Sequence, residues 1–250
     1  MKHLTILTGA SRGMGLAMAQ QLLNTDALLL CISRSANEAL AQQASACGAA
    51  LEQWCLDLAD GTSVAARLGE WLLSVDPAAL ASATLINNAG VISALVPLHQ
   101  ADPTDLAHAL RVGLEAPMQL CTAFLATTQN WSAPRKVLNI SSGLGRRAMA
   151  SSAAYCAAKA GMDHFTRCLA LEQALLANGA RVCSLAPGVI DTDMQVQLRN
   201  ADASAFPDQP AFAGLHHQGQ LTTPCAAAQR VLAFLHRPDF GDNPVADVRG

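Results

Sequence analysis

Short apolar segments alternate with longer, helix-like segments along most of the chain. The stretches between the apolar segments are rich in Ala, Leu and Gln, which favour helices. This alternation predicts an α/β fold in which helices cover both faces of a doubly wound parallel sheet. The predicted strands are 4–7, 27–33, 51–58, 84–88, 136–141 and 181–186. The predicted helices are about 14–24, 36–47, 62–75, 103–128 and 152–177.

The pattern weakens after residue 187, where prolines recur and periodicity is poor up to a last predicted helix at about 224–236. A segment of this length without regular structure in a compact fold is typical of a binding lid. No linker or repeat interrupts the chain. We therefore expect one domain, 1–250, with a C-terminal substrate lid at about 187–250.

Charge and composition narrow the class of partner. The net charge is −3, and the 16 Lys and Arg residues are scattered, so a nucleic-acid surface is not expected. No apolar run has the length of a signal sequence or a membrane span, which predicts a cytoplasmic protein with small-molecule partners. The eight cysteines contain no CxxC pair, and His216 and His217 have no third ligand nearby, so neither disulfides nor a metal site is expected.

A glycine-rich loop follows the first predicted strand. In TGASRGMG, Gly9, Gly13 and Gly15 lie between that strand and the first helix. Glycines are needed where a chain turns sharply and where its backbone approaches a pyrophosphate at a helix N-terminus. The loop therefore predicts dinucleotide binding, with an ordinary glycine-rich turn as the alternative.

Four motifs in order resemble the short-chain dehydrogenase/reductase family. The glycine spacing is G-x-x-x-G-x-G, and it is followed by NNAG at 87–90, YCAAK at 155–159 and APGVIDT at 186–192. The resemblance covers nearly the whole chain and implies a Rossmann-type fold whose cofactor-binding part is about 1–186. The cofactor-binding residues it implies are Gly9, Ser11, Arg12, Gly13, Met14, Gly15, Ser33, Arg34, Asp57, Leu58, Asn88, Ala89, Gly90, Tyr155, Lys159, Pro187, Gly188, Ile190 and Thr192.

The end of the second strand indicates which nicotinamide cofactor is used. Ser33 and Arg34 stand where an NAD-selective enzyme usually has an acidic residue for the ribose 2′-hydroxyl. Arg34 and Arg12 offer two guanidiniums to a 2′-phosphate, which predicts NADP(H). The alternative is two solvated surface arginines. Asp57 matches a position beside the adenine, although it could instead cap the next helix.

Tyr155, the only tyrosine, and Lys159 lie one helical turn apart. A nearby ammonium is expected to lower the pKa of the phenol, which would let Tyr155 donate a proton at physiological pH. The family resemblance adds Ser142, 13 positions before the tyrosine, to bind the substrate carbonyl, with Ser141 as its neighbour and alternative. The alternative for the whole set is a buried structural tyrosine.

One position departs from the family pattern. Relatives usually carry an asparagine in the helix before the fifth strand, where it helps to hold a water that relays protons to the lysine; here Gly113 aligns with it. A glycine in mid-helix costs roughly 1 kcal/mol relative to alanine. Close packing is one reason for it, and a slower proton relay is a possible consequence.

The C-terminal segment resembles the sepiapterin reductase and benzil reductase branch, whose members reduce one carbonyl of a vicinal dicarbonyl. This implies that Asp247 contacts substrate with Ser142 and Tyr155, the alternative being an exposed tail carboxylate. The predicted function is NADPH-dependent reduction of a ketone or vicinal dicarbonyl. An NADP-binding regulator, a 3-oxoacyl reductase and an alcohol-oxidising enzyme are the alternatives. Candidates for the apolar pocket wall, or for simple lid packing, are Met194, Phe206, Phe212 and Leu215.

The resemblance also implies an assembly of chains. Relatives commonly form dimers or tetramers through the two long helices, here 103–128 and 152–177. A homodimer or homotetramer is therefore expected.

Overall fold

The computed structural model describes residues 1–249. Its sheet has seven parallel strands in the order β3-β2-β1-β4-β5-β6-β7. The order reverses between β1 and β4, which is the place where doubly wound sheets form their ligand crevice. The strands are β1 (Lys2–Thr8), β2 (Ala27–Ser33), β3 (Ala50–Cys55), β4 (Leu80–Asn87), β5 (Arg135–Ile140), β6 (Arg181–Ala186) and β7 (Val245–Asp247).

The helices alternate with these strands. The first six are α1 (Gly13–Leu22), α2 (Glu38–Cys47), α3 (Gly61–Leu73), α4 (Pro103–Leu110), α5 (Ala116–Thr128) and α6 (Ala153–Ala174). The last three are α7 (Asp193–Arg199), α8 (Gln209–His217) and α9 (Pro224–Leu235). The predicted fold class is confirmed as a single α/β domain.

Alternating side chains of β1 show why both faces of the sheet are covered. Leu4 and Ile6 are fully buried against α3 and α5 on one face, whereas Leu7 is fully buried against α1 and α9 on the other. Successive side chains of a strand point to opposite faces, so an apolar run of this kind requires two helical layers.

The structure differs from the predicted elements at three places. The helix expected over 103–128 is divided by a π-helical turn, Arg111–Glu115. The lid contains two short helices, α7 and α8, and the tail forms β7. Each of these features is too short to produce a clear periodicity, and β7 pairs with β6 only because the fold brings the two together.

The cysteines divide by position. Cys31, Cys121 and Cys183 are buried in the core, and this burial raises the pKa of each thiol to about 12. Cys55, Cys168 and Cys225 are exposed instead. In residues 1–249, no group of three metal-ligating side chains comes together, and no helix has the length and apolar character needed to cross a membrane.

Candidate active site

The predicted site residues converge on one edge of the sheet. The glycine loop follows β1, NNAG ends β4, Ser142 follows β5 and the APGVIDT segment follows β6. These four strands are adjacent and parallel, so their carboxyl ends lie side by side. The motifs that are far apart in the sequence therefore form one crevice at the point where the strand order reverses.

The glycine loop needs glycine for steric reasons. Gly9 has φ +73°, and a Cβ there would lie 2.9 Å from the Ala89 Cα. A Cβ on Gly15 would lie 2.0 Å from the Gly9 carbonyl oxygen, and Gly13 has φ +56°. The loop thus packs backbone against backbone on the NNAG segment, which leaves room for a pyrophosphate at the N-terminus of α1.

Two residues that hold the loops of the crevice were not predicted from the sequence. The Thr8 hydroxyl accepts hydrogen bonds from the backbone N–H groups of Asn88 (2.9 Å) and Ala89 (3.0 Å). The Asn37 side chain donates to the Ser11 carbonyl (3.1 Å) while capping α2. Asparagine before a helix is a recognisable N-cap signal, but its contact with the glycine loop depends on tertiary packing. Both residues hold the cofactor loops in register.

The end of the crevice next to β2 contains the residues that the sequence predicts to choose the cofactor. Ser33 is buried, and its hydroxyl accepts a hydrogen bond from the Ala10 N–H (2.8 Å). Arg34 is exposed at the end of β2, and Arg12 forms an exposed ion pair with Asp193 (2.8 Å). Exposed pairs contribute little to stability, so Arg12 can exchange this partner for a phosphate at low cost.

Asp57 lies next to this end of the crevice and has a capping role. Its carboxylate accepts a hydrogen bond from the Ala59 N–H (2.9 Å) at the start of the turn before α3. Leu58 beside it is buried in the core. Asp57 thus caps the turn Leu58–Asp60, whereas Asp60 caps α3, and contact of Asp57 with the adenine stays a prediction.

Tyr155 and Lys159 share the buried face of α6, where they are 8% and 4% exposed. The Lys159 Nζ donates to the Ile140 carbonyl at the end of β5 (2.7 Å) and lies 5.7 Å from the centroid of the Tyr155 ring. A Cβ on Gly90 would lie 3.8 Å from this Nζ, so the NNAG segment also borders the ammonium. The lysine head is held between β4, β5 and α6.

Ser142 lies beside the phenol. Its hydroxyl accepts a hydrogen bond from the Leu144 N–H (3.2 Å) in the turn Gly143–Gly145, and its side chain is close enough to act on the pKa of Tyr155. The alternative, Ser141, is buried, its N–H donates to Leu185 in β6, and its hydroxyl has no partner among the described residues. The geometry favours Ser142 as the serine next to the tyrosine.

Burial dominates the electrostatics of the pair. Desolvation raises the pKa of Tyr155, and the neighbouring Ser142 side chain lowers it in part. This reverses the lowering expected from Lys159, because removing the phenolate from water outweighs the favourable contacts. Burial also lowers the pKa of Lys159 to about 8, against an opposing effect of Asp163. Tyr155 is thus a proton-bearing phenol at neutral pH.

The segment after β6 closes the crevice. Gly188 has φ +87°, which lets the chain turn after Pro187, and Ile190 pairs with Thr222. Thr192 then precedes α7, and its methyl group would lie 3.6 Å from a Cβ on Gly13. The lid therefore begins directly against the glycine loop.

Comparison with known proteins gives this arrangement a family. The family described as short chain dehydrogenase matches residues 3–203. The chain is a member of that family. It is 32% identical to the benzil reductase ((S)-benzoin forming) of Bacillus cereus, over 97% of this chain and 98% of that protein. It is 31% identical to the sepiapterin reductase of Bos taurus, over 96% and 91%.

A solved structure extends the comparison. A putative 2-deoxy-D-gluconate 3-dehydrogenase from Agrobacterium tumefaciens, with bound NADP, superposes with a TM-score of 0.79 at 26% identity, covering 99% of this chain and 94% of that one. This short-chain dehydrogenase is accordingly an oxidoreductase with a Rossmann-type fold, as the sequence motifs predicted. Members of the family bind nicotinamide cofactors.

Gly113, the departure from the pattern of short-chain dehydrogenases, is buried in the π-helical turn. A Cβ at this position would lie 3.2 Å from the Ala158 Cβ, one residue before Lys159. Close packing of the turn on α6 therefore accounts for the glycine. A side chain here would press on the helix that carries the lysine.

We expect Gly113→Asn to destabilise this short-chain dehydrogenase by about 1–3 kcal/mol, the usual cost of overpacking a core, and to lower its Tm. Thermal unfolding of the wild-type and variant proteins measures the loss. Combining the change with Ala158→Gly removes the methyl group in the way, so the double variant should lose less than the sum of the single variants. Additive losses would refute the contact as the cause.

Asp247 and the paired histidines lie elsewhere in the described chain. Asp247 binds Arg249 through both carboxylate oxygens (2.8 and 2.7 Å) and lines an open cleft of about 400 Å³ with Arg146 and Arg167. Ser142, Tyr155 and Lys159 do not line that cleft. His216 and His217 lie in the last turn of α8, as lid residues.

The underside of the lid forms an apolar cluster next to the candidate catalytic residues. Phe206 is fully buried and stacks on Phe212, with ring centroids 5.7 Å apart. The same cluster includes Leu144, two residues after Ser142, and Cys156, the residue after Tyr155. Met194 packs against it as well, whereas Leu215 is not part of the cluster found in residues 1–249.

Proposed function

We propose that this short-chain dehydrogenase uses NADPH to reduce a ketone or vicinal dicarbonyl to an alcohol, with Tyr155 as the proton donor. The observation that carries the proposal is the buried position of Tyr155, beside Ser142 and one turn from Lys159, next to a loop with the steric form of a pyrophosphate cradle. A structural tyrosine would not require these neighbours.

Each residue has a role that follows from its position. The Ser142 hydroxyl binds the carbonyl oxygen and orients it. Tyr155, which keeps its proton because its pKa is raised, gives that proton to the oxygen as it gains negative charge. The Lys159 ammonium favours the phenolate that remains. The nicotinamide supplies the hydride when bound, so one hydride and one proton together reduce the carbonyl.

NADPH is preferred because the end of β2 carries a cation where a carboxylate would repel a 2′-phosphate. Arg34 is exposed there, and the Arg12 side chain lies in the neighbouring glycine loop in an ion pair that exchanges easily. The related structure from Agrobacterium tumefaciens with bound NADP is consistent with this choice.

We expect Arg34→Glu to weaken NADPH binding by about 10- to 100-fold, because a charge-assisted hydrogen bond contributes roughly 1.5–3 kcal/mol. NADH binding should change little, so the ratio of the two Kd values reports the effect. Arg230→Glu makes the same charge change at an exposed position of α9 and is the matched control. Equal losses in both variants would contradict a local role for Arg34.

The apolar underside of the lid supports a substrate with bulky apolar groups on the carbonyl. Phe206 is fully buried inside the cluster and supports Phe212, whereas Phe212, Leu144 and Cys156 are partly exposed, the last two beside the two catalytic candidates. Aryl groups bury a large apolar area and pack well against such side chains. Benzil, the diketone in the name of a relative, has these properties.

A substrate panel tests the function. Purified protein is mixed with NADPH and benzil, sepiapterin, a simple aliphatic diketone or a 3-oxoacyl thioester, and NADPH consumption is followed by absorbance. Turnover of the aryl diketone above the others supports the proposal. Preference for the thioester would assign the protein to 3-oxoacyl reduction instead, and tight NADPH binding without turnover of any compound would favour a regulator.

The proposal includes a homodimer or homotetramer that works in the cytoplasm. Met118 on α5 and Leu171 on α6 are large apolar side chains exposed on the two long helices. Apolar surface of this kind favours association of helices from two copies. Light scattering of the purified protein measures the assembly.

A further inference from the structure

We propose that Asp163 is a positioning residue for the reaction: its buried negative charge, one helical turn from Lys159, keeps the lysine head an ammonium, and Arg146 moderates this effect. The inference rests on the proposed function of Lys159. Neither Asp163 nor Arg146 belongs to the four family motifs.

Asp163 is unusual because it is a carboxylate in the interior. It is 1% exposed and lies on the same buried face of α6 as Lys159, exactly one i+4 step further along the helix. A buried charge is costly unless it is paired and hydrogen-bonded. A buried carboxylate at position 163 therefore requires hydrogen-bonding partners, and it has two.

Both carboxylate oxygens of Asp163 are engaged. The Ser184 hydroxyl of β6 donates to Oδ1 (2.6 Å), and Arg146 Nε donates to Oδ2 (3.1 Å). Arg146 also donates through Nη2 to the Ala246 carbonyl of β7 (3.0 Å). The carboxylate thus joins α6 to β6 and, through the arginine, to the edge strand.

The turn after Ser142 fits closely around this carboxylate. A Cβ on Gly145 would lie 2.9 Å from Asp163 Oδ2 and 2.9 Å from the Lys159 carbonyl oxygen. Glycine at position 145 therefore lets the turn that carries Ser142 contact both α6 residues. The ion pair and the proposed catalytic group belong to one packed unit.

The charged and titratable groups around Lys159 leave Asp163 as the one that favours its ammonium. Tyr155 shares its helix, and the end of β5 presents the Ile140 carbonyl, whereas the Cys183 thiol of β6 lies in the cluster on the α1 and α9 face of the sheet, where burial raises its pKa. Arg146 follows β5, and Asp247 on β7 lies near that arginine rather than near the lysine. Burial lowers the pKa of Lys159 to about 8, and Asp163 opposes this change.

The charges near Lys159 set the pH at which activity falls. Lys159 loses its proton as the pH rises through about 8, so activity that needs the ammonium falls above that pH. Removing the negative charge of Asp163 moves this fall to lower pH. Removing the positive charge of Arg146 leaves the carboxylate to act on Lys159 alone and moves the fall to higher pH.

Direct titration of Lys159 tests this without relying on turnover. The chain contains three lysines, Lys2, Lys136 and Lys159, so protein labelled with ¹³C at the lysine ε-carbon gives three resonances that Lys2→Arg and Lys136→Arg assign. We expect the midpoint of Lys159 to fall by about one pH unit in Asp163→Asn, the size typical of one opposite charge nearby. The midpoint should rise in Arg146→Gln.

Ser184→Ala is the matched control, because it removes one hydrogen bond to Asp163 and keeps the charge. The amide of Asp163→Asn can still accept from Arg146 and donate to the Ser184 oxygen, so its hydrogen bonds are preserved. A shift in Asp163→Asn with none in Ser184→Ala supports the proposal. Equal shifts in the two variants, or none in either, overturn it and leave a purely structural role.

Kinetics on the same variants separate the two proposals. The high-pH limb of kcat/KM should move with the Lys159 midpoint, downward in Asp163→Asn and upward in Arg146→Gln. The wild-type protein could reduce no carbonyl while the Lys159 titration midpoint still shifts in the variants. That result would support the effect of Asp163 on Lys159 and refute the proposed function. If Asp163→Asn does not fold, the Lys159 titration midpoint in Arg146→Gln tests the proposal. An upward shift supports it, and no shift overturns it.

Discussion

Replacing Tyr155 by phenylalanine should lower kcat/KM for the carbonyl substrate by about 10²- to 10⁴-fold, the usual contribution of a positioned proton donor. Phenylalanine keeps the ring that fills the buried position on α6 and removes only the hydroxyl. The carbonyl oxygen would then gain negative charge without a proton within reach. Steady-state rates at saturating NADPH measure the loss.

The Tyr155→Phe change should lower the rate of reduction without weakening the binding of NADPH. NADPH binding, followed by the fluorescence of the bound cofactor, should stay within a few-fold of the wild type, because the glycine loop is intact. Ser142→Ala provides a second test, since it removes the hydroxyl that orients the carbonyl and leaves the phenol in place. Full activity in Tyr155→Phe would exclude this residue as the proton donor.

Replacing Gly15 by alanine should disrupt the cofactor site. The added Cβ would lie 2.0 Å from the Gly9 carbonyl oxygen and 2.5 Å from Asn88 Nδ2, so the backbone of one of the two loops must move. Overpacking of this kind costs about 1–3 kcal/mol. If this cost destabilises the NADPH-bound protein relative to the free protein, the Kd for NADPH rises by roughly 5- to 150-fold. Fluorescence titration measures the Kd.

Gly69→Ala is the matched control for this change. Gly69 lies inside α3, where the nearest atom to an added Cβ is the Thr127 hydroxyl at 3.7 Å, an ordinary contact. Alanine should stabilise that helix by up to about 1 kcal/mol and leave NADPH binding unchanged. If Gly15→Ala bound NADPH as the wild type does, the loop would not be the cradle of the pyrophosphate.

Much of the crevice could be predicted because its parts are local. A strand, a glycine spacing and a helix follow one another within residues 4–24, and parallel strands place such loops at a common edge whatever their distance in sequence. Tyr155 and Lys159 needed only the helical repeat to be placed on one face. The secondary-structure predictions failed where an element was too short to show a repeating pattern of apolar residues, as in β7 and the π-helical turn at Gly113.

The sequence by itself determined the alternation of strands and helices, the glycine loop, and the pairing of Tyr155 with Lys159, since each depends on neighbours within a few turns or on strand polarity. Only the tertiary structure decided which groups surround them. Thr8 and Asn37 bind the cofactor loops, Ser33 turns inward to Ala10, and Asp163 meets Arg146 across 17 positions. The direction of the Tyr155 pKa shift also came from the fold, because desolvation depends on what covers a side chain and not on its neighbours in sequence.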